Sequence, residues 1–398
     1  MTSLIRMDVM GFIDNDRIDM RGPHMRIIVR GWYGFYNFGD DCLMIACHEL
    51  LKRSFSQSDY AFICGASEYP QKLIPGIRLI PRNIQQDVEC DLLLYGGGTQ
   101  FFSFKKTPAW YIKNVLSVIF GSILFVSSIF KPSHKVHGRI AAAIGVGFGP
   151  FVPRSRALKQ AEKLAKSLNF LSVRDVKSLA LCREWGLHRV NLHADLCFWP
   201  PLREVFAVKP RRVSKNSVRT VGIIVRDWRN DIIGDAYAKQ IFAVAERLQM
   251  RGMEVRFILF AGRRDGIWSL RIGTKFPVLA WNPLKSTVVD YLENLRQCDA
   301  FITARYHGAI YAALLGIPFI SIGIEPKLSM IAGLLGVGEY LWKFPFDEDD
   351  CMKLLDNVSA RYATICHAME QAVLAQSELA DKMVTEFEAF LRSQELCH

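Results

Sequence analysis

The sequence predicts an α/β protein built as two doubly wound domains facing one another across a cleft. Two observations carry that expectation. Along the 398 residues, continuous apolar segments of strand length alternate with helix-period segments, the pattern of parallel sheets covered on both faces. The alternation stops at Pro200-Pro201, passes through an aperiodic stretch rich in Pro, Arg and Lys, and resumes at Thr220. The expected divisions are a poorly ordered leader (1–24), a first domain (25–200), a linker (201–219), a second domain (220–349) and C-terminal helices (350–398).

The elements follow in order. Met25 opens a strand, Arg26 to Arg30, and the glycine loop Gly31 to Gly39 leads into a helix near 40–53 with apolar residues at 43, 44, 47, 50 and 51. Asp91 to Tyr95 is a strand expected to end at Gly96-Gly97-Gly98. Arg139 to Ile144 is another, ending at Gly145 and Gly147, and 171–173 and 190–192 are shorter candidates. In the second half, strands are expected at 220–225, 255–260, 278–280, 300–303 and 319–322. Helices are expected near 235–250, 286–297, 307–315 and 327–335, and the tail from Asp350 to Ser393 reads as two more.

Composition narrows the class. Half the residues are apolar and only 22% are charged, which excludes a largely disordered chain. The net charge of +11 favours an anionic partner. From Leu92 to Ala161 there is no Asp or Glu, and nine Lys and Arg give that stretch most of the excess. The ten cysteines form no C-x-x-C pair and no zinc spacing, so they read as reduced residues of a cytoplasmic protein. The first 24 residues alternate charges and lack the apolar run of a secretory signal.

Ligands in such sheets bind outside the carboxyl ends of the strands. There the second half offers Arg226, the run Arg305-Tyr306-His307-Gly308 and the run Glu325-Pro326-Lys327. Two arginines and helix N-termini converging on one rim make an anion site. Glu325 and Lys327 either join it or pair with each other. In the first half, Asn37, Asp40 and Asp41 stand where the helix begins. One aspartate is expected to cap it. Two carboxylates there would repel a phosphate, so the loop suits sugar hydroxyls, and either Asp40 or Asp41 can serve as a general base. Gly31, Gly34 and Gly39 do not fit the dinucleotide fingerprint. Gly97, Gly98 and Thr99 either let a ligand approach the backbone or simply turn the chain.

At these residues the chain resembles the polysaccharide pyruvyl transferase family. Gly31-x-x-Gly34-x-x-Asn37-x-Gly39-Asp40 is similar to that family's G-x-G-N-x-G-D-E opening, with a longer gap before Asn37 and Asp41 in place of Glu. Gly96 to Thr99, Ile144 to Pro150, Ser172 to Asp175 with Ser178, Ala194-Asp195, Arg305-Tyr306-His307 and Gly316-Ile317-Pro318 follow in the family's order. Phe101-Phe102 and Tyr306 depart from the usual residues. The resemblance implies two Rossmann-like domains in a GT-B-like arrangement, the first on the acceptor side and the second on the donor side. It implies transfer of pyruvate from phosphoenolpyruvate to a saccharide as a cyclic ketal. It assigns Arg226, Arg305 and His307 to the donor, with Lys327 and Glu325 beside them. The enol carbon must be protonated, and the ordinary pKa range of histidine suits His307 as that general acid. Asn37, Gly97, Gly98 and Thr99 fall to the acceptor. No metal and no cofactor is called for, because arginines can neutralise the donor's charge.

Val115 to Phe130 is uncharged and bracketed by Lys113 and Lys131, too short to span a bilayer. A helix over 109–131 either packs on the sheet or lies on an anionic membrane surface, the second fitting a lipid-linked acceptor at the inner face of the plasma membrane. The alternative enzyme of the same build is a sugar-nucleotide glycosyltransferase. A nucleic-acid binder lacks support, since no helix-turn-helix, RNP-type or zinc-finger motif occurs.

Overall fold

The fold is that of a computed structural model, which describes residues 25–65, 69–83, 87–103, 136–210, 218–228 and 232–394. The leader 1–24 and the 109–131 segment lie outside the described residues. Two all-parallel sheets form the frame. In the first, β1 (Arg26–Tyr33), β2 (Asp59–Cys64), β3 (Arg78–Pro81), β4 (Val88–Phe101), β5 (Val136–Phe148), β6 (Phe170–Val173) and β7 (Asn191–Leu192) lie in the order 3-2-1-4-5-6-7. In the second, β8 (Thr220–Val225), β9 (Glu254–Leu259), β10 (Val278–Ala280), β11 (Ala300–Thr303), β12 (Phe319–Ile322) and β13 (Leu341–Trp342) lie in the order 10-9-8-11-12-13. Each sheet runs outward one way from its first strand and then the other, so each has a switch point, at β1/β4 and at β8/β11. The carboxyl ends of those strand pairs are where a crevice must open.

Central strands are apolar on both faces because helices cover both. Ile27, Ile28 and Val29 of β1 are all fully buried, as are Ile223, Ile224 and Val225 of β8. The glycines after Tyr95 do not end β4 or turn the chain, as the sequence had led us to expect. The strand runs on beside β5, with Gly96 opposite Ile144, Gly98 opposite Val146 and Thr99 opposite Gly147. Their smallness is spent on packing: a Cβ on Gly96 would overlap Cys47, and one on Gly97 would lie 2.8 Å from Leu43 Cδ2. The Phe38–Ser54 helix therefore lies close on the strand.

That helix begins two residues earlier than the hydrophobic spacing indicates, and neither Asp40 nor Asp41 caps it. Asn37 is the N-cap residue but makes no side-chain cap hydrogen bond. The Phe38 N–H instead donates to Phe260 O at 2.8 Å, across to the second half. The Phe38 ring then enters an aromatic box of Phe260, Trp281, Tyr291 and Tyr311, with centroids 4.7–5.1 Å away. Within the stretch read as linker, Pro201–Val205 is a short helix with Leu202 buried.

The tail forms two helices. Glu348–Ala360 packs on the second half, where Arg251 meets Asp356 at 2.7 Å. Tyr362–Ser393 crosses back to the first half. There Phe387 lies against Phe55 and Phe170, Arg203 donates to Ser377 Oγ at 2.7 Å, and Asn191 donates to Glu386 at 2.9 Å. Among the described residues no helix is long and apolar enough to cross a membrane.

Candidate active site

The two switch points meet at the start of the Phe38–Ser54 helix. Gly39 lies flat against the His307 ring, so that any Cβ there would overlap the imidazole. His307 opens the Tyr306–Leu314 helix after β11, with Arg305 as its N-cap residue. Gly308 lets that helix sit on Thr303, a second position where a side chain has no room. His307 is thereby held between the halves, 13% exposed, its Nε2 without a hydrogen-bond partner and 3.7 Å from Asp195 Oδ2.

Asp195 is fixed from behind. It accepts from Arg174 Nη1 at 2.5 Å and from the Cys197 N–H at 3.0 Å. Arg174 also donates to Thr99 Oγ1 at 2.7 Å, and its guanidinium lies 4.1 Å from the centre of the Tyr306 ring. Burial would raise the Asp195 carboxyl, but the charge of Arg174 and the hydrogen bonds from Arg174 and the Cys197 N–H hold it below its usual range. For His307 the balance runs the other way. Burial, helped by the Arg174, Lys327 and Arg305 charges, exceeds the pull of Asp195 and lowers it to about 4. The resting imidazole is neutral at pH 7, a state that the unperturbed value near 6.5 would not have guaranteed.

Asp40 and Asp41 diverge. Asp41 is fully buried and both its oxygens are taken, Oδ1 by Tyr69 Oη–H and Oδ2 by Trp281 Nε1–H, each at 2.7 Å. Burial pushes it up to about 8. It ties the halves together from a position closed to solvent. Asp40 is partly open, with Asn37 Nδ2 donating to it at 2.5 Å. It lies 3.9 Å from where a Cβ on Gly98 would stand. Burial raises it to about 6, against the lowering pull of Arg264, Asn37, Arg305 and Lys327.

Around these groups stand the cations. Arg226 pairs with Glu325 Oε1, and Lys327 reaches the same oxygen at 3.1 Å. Glu325 and Lys327 therefore do pair, but within a cluster that includes Arg226. Burial alone would raise Glu325; Arg226 and Lys327 hold it low. Burial, with Arg226 beside it, brings Lys327 down to about 8. Arg305 pairs with Asp265, and its Nε–H donates to Val225 O at 3.3 Å.

Arg264 is the residue the sequence reading missed. It has no carboxylate partner among the described residues. Its side chain has exposed area, yet it sits deep enough between protein walls that desolvation, with Arg226 and Arg305 nearby, lowers its pKa. The signal was present: Arg263-Arg264 follows the end of β9, and the strand-end rule that found Arg226 applies equally there. Arg263 closes one side of the cleft, stacked 3.7 Å from the Tyr36 ring centre and donating to Tyr36 Oη at 2.8 Å.

Asp195, Cys197 and His307 offer ligand atoms within 4.8 Å of one another. They make a poor cation site, since Arg174 occupies the carboxylate and burial pushes the Cys197 thiol up. Asn37, Gly98 and Asp40 come together at the cleft. Gly97 faces Leu43 and Thr99 is engaged by Arg174.

The comparisons with known proteins bear on the fold and the family. Among solved structures, a putative UDP-N-acetylglucosamine 2-epimerase from Listeria monocytogenes is similar at 8% identity, with a TM-score of 0.56 over 94% of this chain and 99% of that one. The UDP-N-acetylglucosamine 2-epimerase from Rickettsia bellii, at 8% identity, gives 0.54 over 93% and 98%. At these identities the likeness is one of fold, two Rossmann-like halves in the GT-B-like arrangement. No curated protein matches the chain. The sequence pattern of the polysaccharide pyruvyl transferase family matches residues 35–326, from the glycine loop through Arg305, His307 and Glu325, and the chain belongs to that transferase family.

Proposed function

We propose that the protein transfers pyruvate from phosphoenolpyruvate to a pair of hydroxyls on a bacterial polysaccharide or its lipid-linked precursor, leaving a cyclic ketal and free phosphate. The observation that carries this reading is the contact of Gly39 with His307, which sets Asp40 and His307 beside the cations Arg226, Arg264, Arg305 and Lys327. A small donor with a carboxylate and a phosphate needs such a concentration of guanidinium groups. The donor occupies the ends of β8, β11 and β12, and the saccharide approaches over Asn37, Asp40 and Gly98. The same proposal puts the enzyme in the cytoplasm, with 109–131 as its contact with the inner membrane face.

The steps balance without a metal. The anionic donor raises the pKa of His307, which then protonates the methylene carbon of the enol. Asp40 takes the proton of the first hydroxyl as its oxygen bonds to the carbon bearing the phosphate. The bond to the phosphate oxygen then breaks with its electron pair, and phosphate leaves with the proton that Asp40 had taken. The second hydroxyl bonds to the carbon so vacated, and its proton returns to His307. Asp195, held by Arg174, positions the imidazole. The test is incubation with phosphoenolpyruvate and candidate saccharides. Phosphate is expected to appear in step with the ketal. Nucleoside diphosphate release from a sugar nucleotide, with phosphoenolpyruvate untouched, would assign the glycosyltransferase reading instead.

Two expectations follow from the charges. Arg264→Ala removes a cation that makes no ion pair among the described residues; at about 1.5–3 kcal/mol for a hydrogen bond to a charged group, donor affinity should fall roughly 10- to 150-fold. Calorimetric titration with phosphoenolpyruvate checks this, and unaltered affinity would remove Arg264 from the site. With phosphoenolpyruvate saturating, so that His307 already carries its proton, the rate should fall on the acid side. Asp40 acts as base only when ionised, so the loss is about tenfold per pH unit below its value of about 6. Lys327 loses its charge above about 8, and donor capture weakens on that side. A saturated rate that stays level well below pH 6 would exclude Asp40 as the base.

A further inference from the structure

The first half carries a second pair of cations that this reaction does not use. Arg30 ends the regular part of β1, and Arg82 follows β3 directly. Arg82 lies 4.5 Å from the centre of the Trp32 ring and 5.4 Å from that of Phe35, and it donates to Gly31 O at 3.3 Å. Arg30 lies 5.9 Å from the Tyr95 ring centre. Neither guanidinium meets a carboxylate among the described residues. The Trp32 indole N–H beside them is buried with no hydrogen-bond partner.

An arrangement of this kind is costly when empty. Desolvating a guanidinium and placing a like charge beside it both penalise the charged form. Burial, and then the Arg30 charge, bring Arg82 down to about 10, while Asp40 acts on it in the opposite sense. Arg82 is thus within electrostatic range of the cleft and short of anionic partners.

We propose that Arg30, Arg82 and the Trp32 indole N–H form an oxyanion subsite for the acceptor, which holds a phosphate or carboxylate carried by the saccharide while its hydroxyl pair reaches Asp40. This rests on the acceptor lying over the first half. The planar fork of Arg82 suits either oxyanion bidentately, the indole N–H supplies a further donor, and Arg30 adds charge without competing for the same space. The Trp32 and Phe35 rings flank the guanidinium and keep it from turning to bulk water. The donor cations Arg226, Arg264 and Arg305 come from the second sheet, so the two anion sites are built by different halves.

The test uses the full chain with phosphoenolpyruvate at saturation, so that the donor arginines are occupied. Glucose 1-phosphate, glucuronate and methyl glucoside are titrated as probes into the unaltered protein, Arg82→Gln and Arg30→Gln. A charged probe is expected to bind at least about tenfold more tightly than methyl glucoside, and each variant should lose most of that difference. Preference for glucose 1-phosphate identifies a phosphorylated acceptor, and preference for glucuronate an acidic sugar. Affinity for phosphoenolpyruvate alone should be the same in all three proteins, which shows that the variants are folded. Equal binding of charged and neutral probes, or discrimination that survives both substitutions, would overturn the subsite. Failure of phosphoenolpyruvate to bind the unaltered protein would instead count against the donor, leaving the comparison of variants readable.

Discussion

His307→Gln is expected to lower kcat by about 10²- to 10⁴-fold while phosphoenolpyruvate still binds within a few-fold of its normal affinity. Glutamine keeps a hydrogen-bonding side chain of comparable size, but it cannot carry a proton to carbon. The imidazole it replaces is neutral at rest, since burial and three neighbouring cations bring it to about 4. Its proton therefore has to arrive with the donor, whose negative charges offset those of Arg305 and Lys327. Proton NMR of the imidazole checks this directly: its titration should move upward when the donor binds. Single-turnover kinetics then separate chemistry from capture. A variant that turns over at the normal rate would end the proton-transfer role, and loss of donor binding alone would make His307 a ligand of the donor.

Gly39→Ala is expected to cost about 100-fold in kcat or more, although no functional group is lost. The new methyl group overlaps the imidazole, and the residues behind it leave little slack. Tyr306 is pinned under Arg174, and Gly308 is pressed on Thr303. Either the ring moves off the path to the donor or the Phe38–Ser54 helix backs out of the second half. The second outcome would draw Phe38 from its aromatic box, so a fall in thermal stability distinguishes the two. A crystal structure or steady-state kinetics of the variant tests the claim, and normal turnover would show that His307 has more room than the contact allows.

The periodic parts of the chain were legible. Buried parallel strands must be apolar on both faces, which is why the runs 220–225, 300–303 and 319–322 stand out beside helical segments. Asp59–Cys64, Arg78–Pro81 and Leu341–Trp342 escaped notice because they begin with a charged residue, contain proline or are only two residues long. The strand-end rule placed Arg226, Arg305, His307 and Lys327 on one rim, since their position follows from topology alone. It gave no means of telling Asp40 from Asp41. Adjacent residues on a helix point about 100° apart, and which of them meets Tyr69 and Trp281 depends on how the two halves dock. The pKa of His307 was illegible for the same reason, because the groups that lower it come from distant parts of the chain.

The return of Tyr362–Ser393 to the first half has a consequence for biosynthesis. The strands of that half are all made once Leu192 has been added, but the surface around Phe55 and Phe170 is closed only by Phe387 and Phe390. At roughly 5–20 residues per second, the nascent chain carries that aromatic surface uncovered for about 10–40 s. During translation the first half is thus an unfinished body, dependent on a chaperone or on rapid elongation, and a ribosome that stalls within the second half would release a fragment prone to aggregate through its first.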